Sequence, residues 1–165
     1  MRVLRLLKHL LTFPWWVRQR FPSTLRREIA AAVAASERHH RGELRFAVEG
    51  PLPLRALLSN QSPRERAIKL FARLRVWDTA ENSGVLIYLQ LVDHDVEILA
   101  DRGIAAKVPQ GEWEALCRDL EAAMRAGRCR EGVLVAIECV GRLLAEHYPV
   151  TGDNPNELPD QPVVI

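Results

Sequence analysis

Oxygen-bearing side chains near the middle of the chain are the residues best suited to chemistry. Asp78, Thr79, Glu81 and Asn82 precede the apolar run Val85–Val92, and Asp101-Arg102-Gly103 follows Val96–Ala100. Read as a hairpin turning at Asp93-His94-Asp95, the two runs bring both loop segments to one edge. Carboxylate, amide and hydroxyl oxygens on loops suit a hard cation such as Ca²⁺ or Mg²⁺. The expected metal ligands are Asp78 and Asp101, with Thr79, Asn82 and Arg102 as ligand-binding neighbours. A structural ion pair between Asp101 and an arginine, with Asp78 as a turn residue, is the competing reading.

Other candidates are weaker. A cysteine phosphatase needs Arg six positions after its nucleophile, so that backbone amides and the guanidinium cradle phosphate around a thiolate. Cys117, Cys129 and Cys139 are followed at that spacing by Ala123, Val135 and Ala145. Asp93-His94-Asp95 has the Asp-x-Asp form of aspartyl-phosphate enzymes, but Glu97 stands where that motif wants Thr or Val. Asx residues in a turn chiefly serve local backbone hydrogen bonds. His39, His40, His94 and His147 lack metal-ligand spacing and read as surface residues. Trp77 reads as core.

The elements that must position these residues follow from periodicity. Leu44, Phe46 and Val48 alternate, giving a strand with one apolar face. Ser62-Pro63-Arg64-Glu65 is a helix start with an N-cap, a preorganised first residue and a capping box. Ala67, Ile68, Leu70, Phe71 and Leu74 are its expected buried side. Val85–Val92 is continuously apolar, as a strand covered on both faces would be. Separation of the first two strands by a helix predicts parallel pairing through a right-handed crossover. Trp113, Leu116, Cys117, Leu120 and Met124 line one helix, and Glu131–Tyr148 is a second. From Thr151 onward, Pro155, Pro159 and Pro162 enforce an extended tail.

Charge divides the chain. Seven of its 23 basic residues, and none of its 21 acids, fall in residues 1–27, so the remainder carries a net charge of −5. An acidic body argues against nucleic acid as a partner. In residues 2–12, Val3, Leu4, Leu6, Leu7, Leu10 and Leu11 share one helical face, and Arg2, Arg5, Lys8, His9 and Thr12 the other. Such a basic amphipathic arm can lie in a membrane interface, dock on its own domain or bind a partner. In the first case Arg5, Leu6, Leu7, Leu10, Trp15 and Trp16 are the membrane contacts. Lys8 and His9 interrupt the apolar region of a signal peptide, and an odd number of cysteines suits a reducing compartment, so the expected location is the cytoplasm or the inner face of its membrane. The boundaries are an arm over 1–21, an α/β domain over 22–150 and a tail over 151–165.

Several blocks together resemble the TPM domain family, also known as TPM-type phosphatases, in its cytosolic proteobacterial branch. They are Gly42-Glu43-Leu44-Arg45-Phe46, Arg64-Glu65-Arg66-Ala67, Leu74–Thr79, Asn82-x-Gly84-Val85-Leu86-Ile87-Tyr88, Val96–Ile104 and Asn154–Asp160. The resemblance implies a three-layer α/β/α sandwich with a small mixed sheet. It also implies varied roles: plant relatives are linked to photosystem repair and acid phosphatase activity, animal relatives are receptor accessories, and bacterial relatives often neighbour LemA-type membrane proteins. The expectation is a non-catalytic accessory domain at the cytoplasmic membrane face, acting through a membrane-protein partner of LemA type. A metal-dependent phosphatase acting on phosphate monoesters is the alternative.

Overall fold

The computed structural model describes residues 2–152 and 154–165. Met1, in the expected arm, and Asp153, in the expected tail, lie outside the described residues, as do the side chains of Arg2, Val3 and Pro14. The chain runs α1 (Arg2–Leu10), α2 (Pro14–Arg20), α3 (Ser23–Glu37), β1 (Glu43–Glu49), α4 (Leu54–Leu58) and α5 (Pro63–Arg73). It continues through β2 (Gly84–Gln90), β3 (Asp95–Ala100), α6 (Arg102–Ala105), α7 (Gln110–Arg125), α8 (Cys129–His147) and β4 (Val163–Val164).

The strand order is β3-β2-β1-β4. β1 and β2 pair in parallel, with Leu44 opposite Val85 and Phe46 opposite Ile87. β2 and β3 form the expected antiparallel hairpin. The mixed α/β sandwich is therefore as expected, and the tail joins it: Val163 and Val164 pair in parallel with Ala47 and Val48.

Side-chain alternation splits the sheet into two faces. Leu44, Phe46, Val48, Val85, Ile87, Leu89, Val96 and Ile98 form the larger core, with α3, α7 and α8 over it. Val17 and Phe21 enter this core from the arm, and the Phe21 and Phe46 rings stack 6.3 Å apart. Across the sheet, Ala47, Leu86, Tyr88 and Leu99 pack against Ala67, Leu70 and Val76, with Leu158 of the tail. The β1 side chains on this second face include Glu43, Arg45 and Glu49, all buried. Arg66 of α5 pairs with Glu49 at 2.5 Å, and the Tyr88 hydroxyl donates to the same carboxylate at 2.7 Å. This network satisfies a charge that burial would otherwise penalise.

α5 begins as its sequence predicts. Ser62 N–H donates to Glu65 Oε2 at 2.8 Å, and Glu65 N–H donates to Ser62 Oγ at 3.2 Å. Its buried stripe omits Ile68, which is 52% exposed: the sheet-facing line runs through Ala67 and Leu70, and Ile68 is rotated out of it. Trp77 is also outside the core, 48% exposed with the Arg75 guanidinium 5.8 Å from its ring centroid. Val76 takes the interior place in that turn. His40, expected at the surface, is buried between Ser36 Oγ and the Gly42 carbonyl, each at 2.8 Å. Burial lowers its pKa, which favours a neutral ring whose Nδ1 donates to Gly42 and whose Nε2 accepts from the Ser36 hydroxyl.

Candidate functional site

The loop end of the hairpin is built by strand register. Val85 lies opposite Ala100, and Asp101 N–H donates to the Gly84 carbonyl at 2.8 Å. This sets Asn82–Gly84 against Asp101–Gly103. Asn82 takes a left-handed conformation (φ 53°), which an Asn tolerates better than most residues. Its carbonyl accepts from Gly103 N–H at 2.9 Å, and its Oδ1 accepts from Arg102 Nε at 3.0 Å. A Cβ on Gly103 would lie 2.5 Å from the Glu81 carbonyl oxygen and 2.6 Å from that of Asn82, so only glycine permits the approach.

Asp101 is the N-cap of α6, with Oδ1 accepting from Arg102 N–H at 2.7 Å. Its Oδ2 is buried without a hydrogen-bond partner, as are Glu81 Oε2 and Ser83 Oγ. Thr79 lies beneath the turn, where Oγ1 accepts from Ser83 N–H at 3.0 Å. Asp78 is engaged elsewhere, in an exposed pair with Arg75 at 3.0 Å. The structure thus joins Asn82, Asp101 and Arg102, gives Thr79 a structural bond and turns Asp78 to an arginine of its own loop. Among the described residues, no three His, Cys, Asp or Glu side chains gather as a metal cage. A hard cation at this corner would draw on the free Asp101 oxygen with Ser83 and backbone oxygens, because Glu81 is already paired with Arg41 at 2.8 Å through its other oxygen.

The arm makes a second candidate site, and its docking reverses ordinary amphipathic packing. His9 is 2% exposed. Leu52 N–H donates to His9 Nδ1 at 2.9 Å, so Nδ1 is the acceptor and Nε2 carries the proton given to Asp93 Oδ2 at 3.0 Å. Arg5 Nε donates to the same carboxylate oxygen at 2.8 Å. Burial pushes the Asp93 carboxyl up, but the bonds from His9 and Arg5 outweigh it and hold the group below its ordinary range. The polar side of α1 therefore faces the domain. Leu7 and Leu10 point outward, and Trp15, 63% exposed, extends that apolar surface from α2. Leu6 and Trp16 are half-buried, with the Arg20 guanidinium 5.3 Å from the Trp16 ring centroid. Arg5, expected among the membrane contacts, faces Asp93.

Four side chains that could serve a hydrolase, Cys117, Cys129, Asp93 and Asp95, are half-buried or already engaged. Burial pushes the Cys117 thiol up to about 11 and raises that of Cys129, so neither is a ready thiolate. Asp93 is fixed in the arm contact. Burial, followed by repulsion from Asp93 and Glu121, raises Asp95.

Comparison with known proteins places this geometry. Residues 19–143 match the model of the TPM domain. The chain belongs to the TPM domain family. The NMR structure of the BA42 protein from the psychrophilic bacterium Bizionia argentinensis is similar to this TPM chain, with a TM-score of 0.75 and 25% identity. The similarity covers 87% of this chain and 94% of BA42. No curated protein matches. The family match starts within α2, so all of α1 lies before it. No helix among the described residues of this TPM chain is long and apolar enough to cross a membrane.

Sequence reasoning missed His9 and Asp93 as partners. His9 sits beside Lys8 on the polar side of the arm, and nothing local distinguishes the buried residue from the exposed one.

Proposed function

We propose that this TPM domain is a non-catalytic accessory domain that rests on an anionic membrane surface through its arm and acts there through a membrane-protein partner, of LemA type by family resemblance. The outward face of Leu7, Leu10, Leu11, Phe13 and Trp15 carries this reading, because α1 is fastened by its polar side and leaves that face uncovered. Exposed Lys8, Arg18 and Arg20 supply cations beside it. Apolar insertion and attraction to anionic headgroups then act together. Deleting residues 1–20 would also remove buried Val17, so substitution is the cleaner test. The double variant Leu10→Glu/Trp15→Glu should keep its fold yet lose sedimentation with vesicles containing phosphatidylserine. Equal sedimentation of the variant and the parent protein would reject the surface role.

A second reading, a metal-dependent phosphatase, is favoured by the unpartnered Oδ2 of Asp101 and Oγ of Ser83. A cation bound only to the folded protein raises stability by RT ln(1 + [L]/Kd), so millimolar Ca²⁺ or Mg²⁺ should raise Tm. Asp101→Asn keeps a capping side chain while removing the charge, and should abolish that rise. Hydrolysis of phosphate monoesters only when the metal is present, and its loss in Asp101→Asn, would turn the balance to this reading. A Tm indifferent to both cations would remove its basis.

A further inference from the structure

A groove of about 570 Å³ lies between α1 and α4, within the range of small-molecule sites. Its apolar lining is aliphatic, from Leu4 and Leu6 on one side and Leu57 on the other, with no aromatic ring to stack a planar ligand. Asn60, in a left-handed conformation just past α4, places an amide at the groove. The polar lining is biased in sign. Asp93 is already bound by Arg5 and His9, whereas exposed Lys8 has no ion-pair partner among the described residues. At the neighbouring hairpin tip, burial first and then the charges of Lys8, Arg125 and Arg20 lower the pKa of His94, with Asp93 acting the other way.

We propose that this groove binds one aliphatic chain of a single-chain anionic amphiphile of the fatty-acid type, with Lys8 facing its carboxylate. Apolar walls on two helices fit a linear chain, and the net positive mouth selects the sign of its head. The groove shares α1 with the membrane-surface reading but uses Leu4, Leu6, Leu57 and Lys8, whereas the surface reading rests on the outward face of Leu7, Leu10 and Trp15.

The test is calorimetric titration of the full chain with dodecanoate below its micelle concentration, and with dodecyltrimethylammonium as the cation-headed counterpart. Dodecanoate should bind saturably at one per chain and at least tenfold more tightly than the cationic amphiphile. Leu57→Trp, which fills the groove, should abolish binding while leaving vesicle sedimentation intact. Lys8→Glu, at an exposed position that cannot disturb the core, should reverse the preference for head charge. Leu10→Glu/Trp15→Glu should retain dodecanoate binding even where sedimentation is lost, so the groove and the surface reading fail separately. Equal affinity for both amphiphiles, undiminished binding in Leu57→Trp, or loss of dodecanoate binding in the outward-face variant would each overturn the proposal.

Discussion

At the N-terminal end, α1 is held by three side-chain hydrogen bonds that converge on His9 and Asp93, and its Leu7 and Leu10 face away from the domain. At the C-terminal end, the tail is held along its backbone. Glu43 accepts from Glu157 N–H at 3.1 Å and Leu158 N–H at 3.0 Å, Arg45 donates to the Pro159 and Gln161 carbonyls, and β4 extends the sheet. Asn154 donates to the Glu37 and His40 carbonyls at 2.9 and 3.0 Å. The tail also buries Leu158 in the second core. The contrast separates two uses of a terminal segment. The tail completes the fold, and α1 presents a surface that the fold does not consume.

The largest expected effect is a pH dependence at the tail. Burial, partly opposed by a bond from Leu44 N–H and reinforced by Glu43 and Asp160, pushes Glu37 up to about 8; burial likewise pushes Glu43 up to about 7. Above the ordinary carboxyl range the unfolded chain has lost these protons while the folded chain still holds them. Stability is therefore full below that range and falls by several kcal/mol as pH rises toward 8. Urea midpoints between pH 5 and 9 should show the decline, and Glu37→Gln should reduce it to the smaller part owed to Glu43. A flat profile in the parent protein would mean that the tail does not enclose these carboxyls.

Next in size, Glu43→Ala should lower stability by about 2 kcal/mol near pH 6, because two tail amides lose their acceptor inside the protein. Hydrogen exchange in α1 should remain unchanged. Asp93→Ala should do the reverse: exchange in α1 should quicken about tenfold while the global urea midpoint moves little. Because the Asp93 carboxyl is held low, its contribution to docking is complete above the ordinary carboxyl range and disappears only as pH falls through the lowered value. A global loss in Asp93→Ala equal to that of Glu43→Ala would erase the distinction between the ends. Ser62→Ala gives a reference of about 1 kcal/mol through loss of the α5 N-cap, and it should alter neither terminal segment's exchange relative to the whole.

The three longer strands, the parallel crossover and the start of α5 were legible because each carries a local signal: alternation, a branched apolar run or capping chemistry. β4 was not, since two valines after a proline-rich stretch have no period of their own and are ordered by a distant strand. Glu43, Arg45 and Glu49 read as a solvent-facing row in β1. They are buried because α5 and the tail cover them, an event that local alternation cannot report. At the candidate metal corner, hairpin register correctly brought Asn82, Asp101 and Arg102 together. It said nothing of the left-handed turn at Arg75 (φ 56°), whose own ion pair takes Asp78. In the arm the amphipathic pattern was plain, but pattern alone does not say which side of a helix faces the protein.

The place of β4 also has a consequence for biogenesis. β1 is translated well before the strands that flank it, and the flank belonging to β4 is the last to be filled. A nascent chain carrying only β1, β2 and β3 exposes a bare edge there, with Glu43 and Arg45 still lacking the backbone groups that they hold in the finished protein. An open edge is a template for stray strand pairing, and the charges alongside it discourage apolar intruders until the proper segment arrives. Until the tail through β4 has emerged, that edge is the place on the sheet where stray pairing would begin.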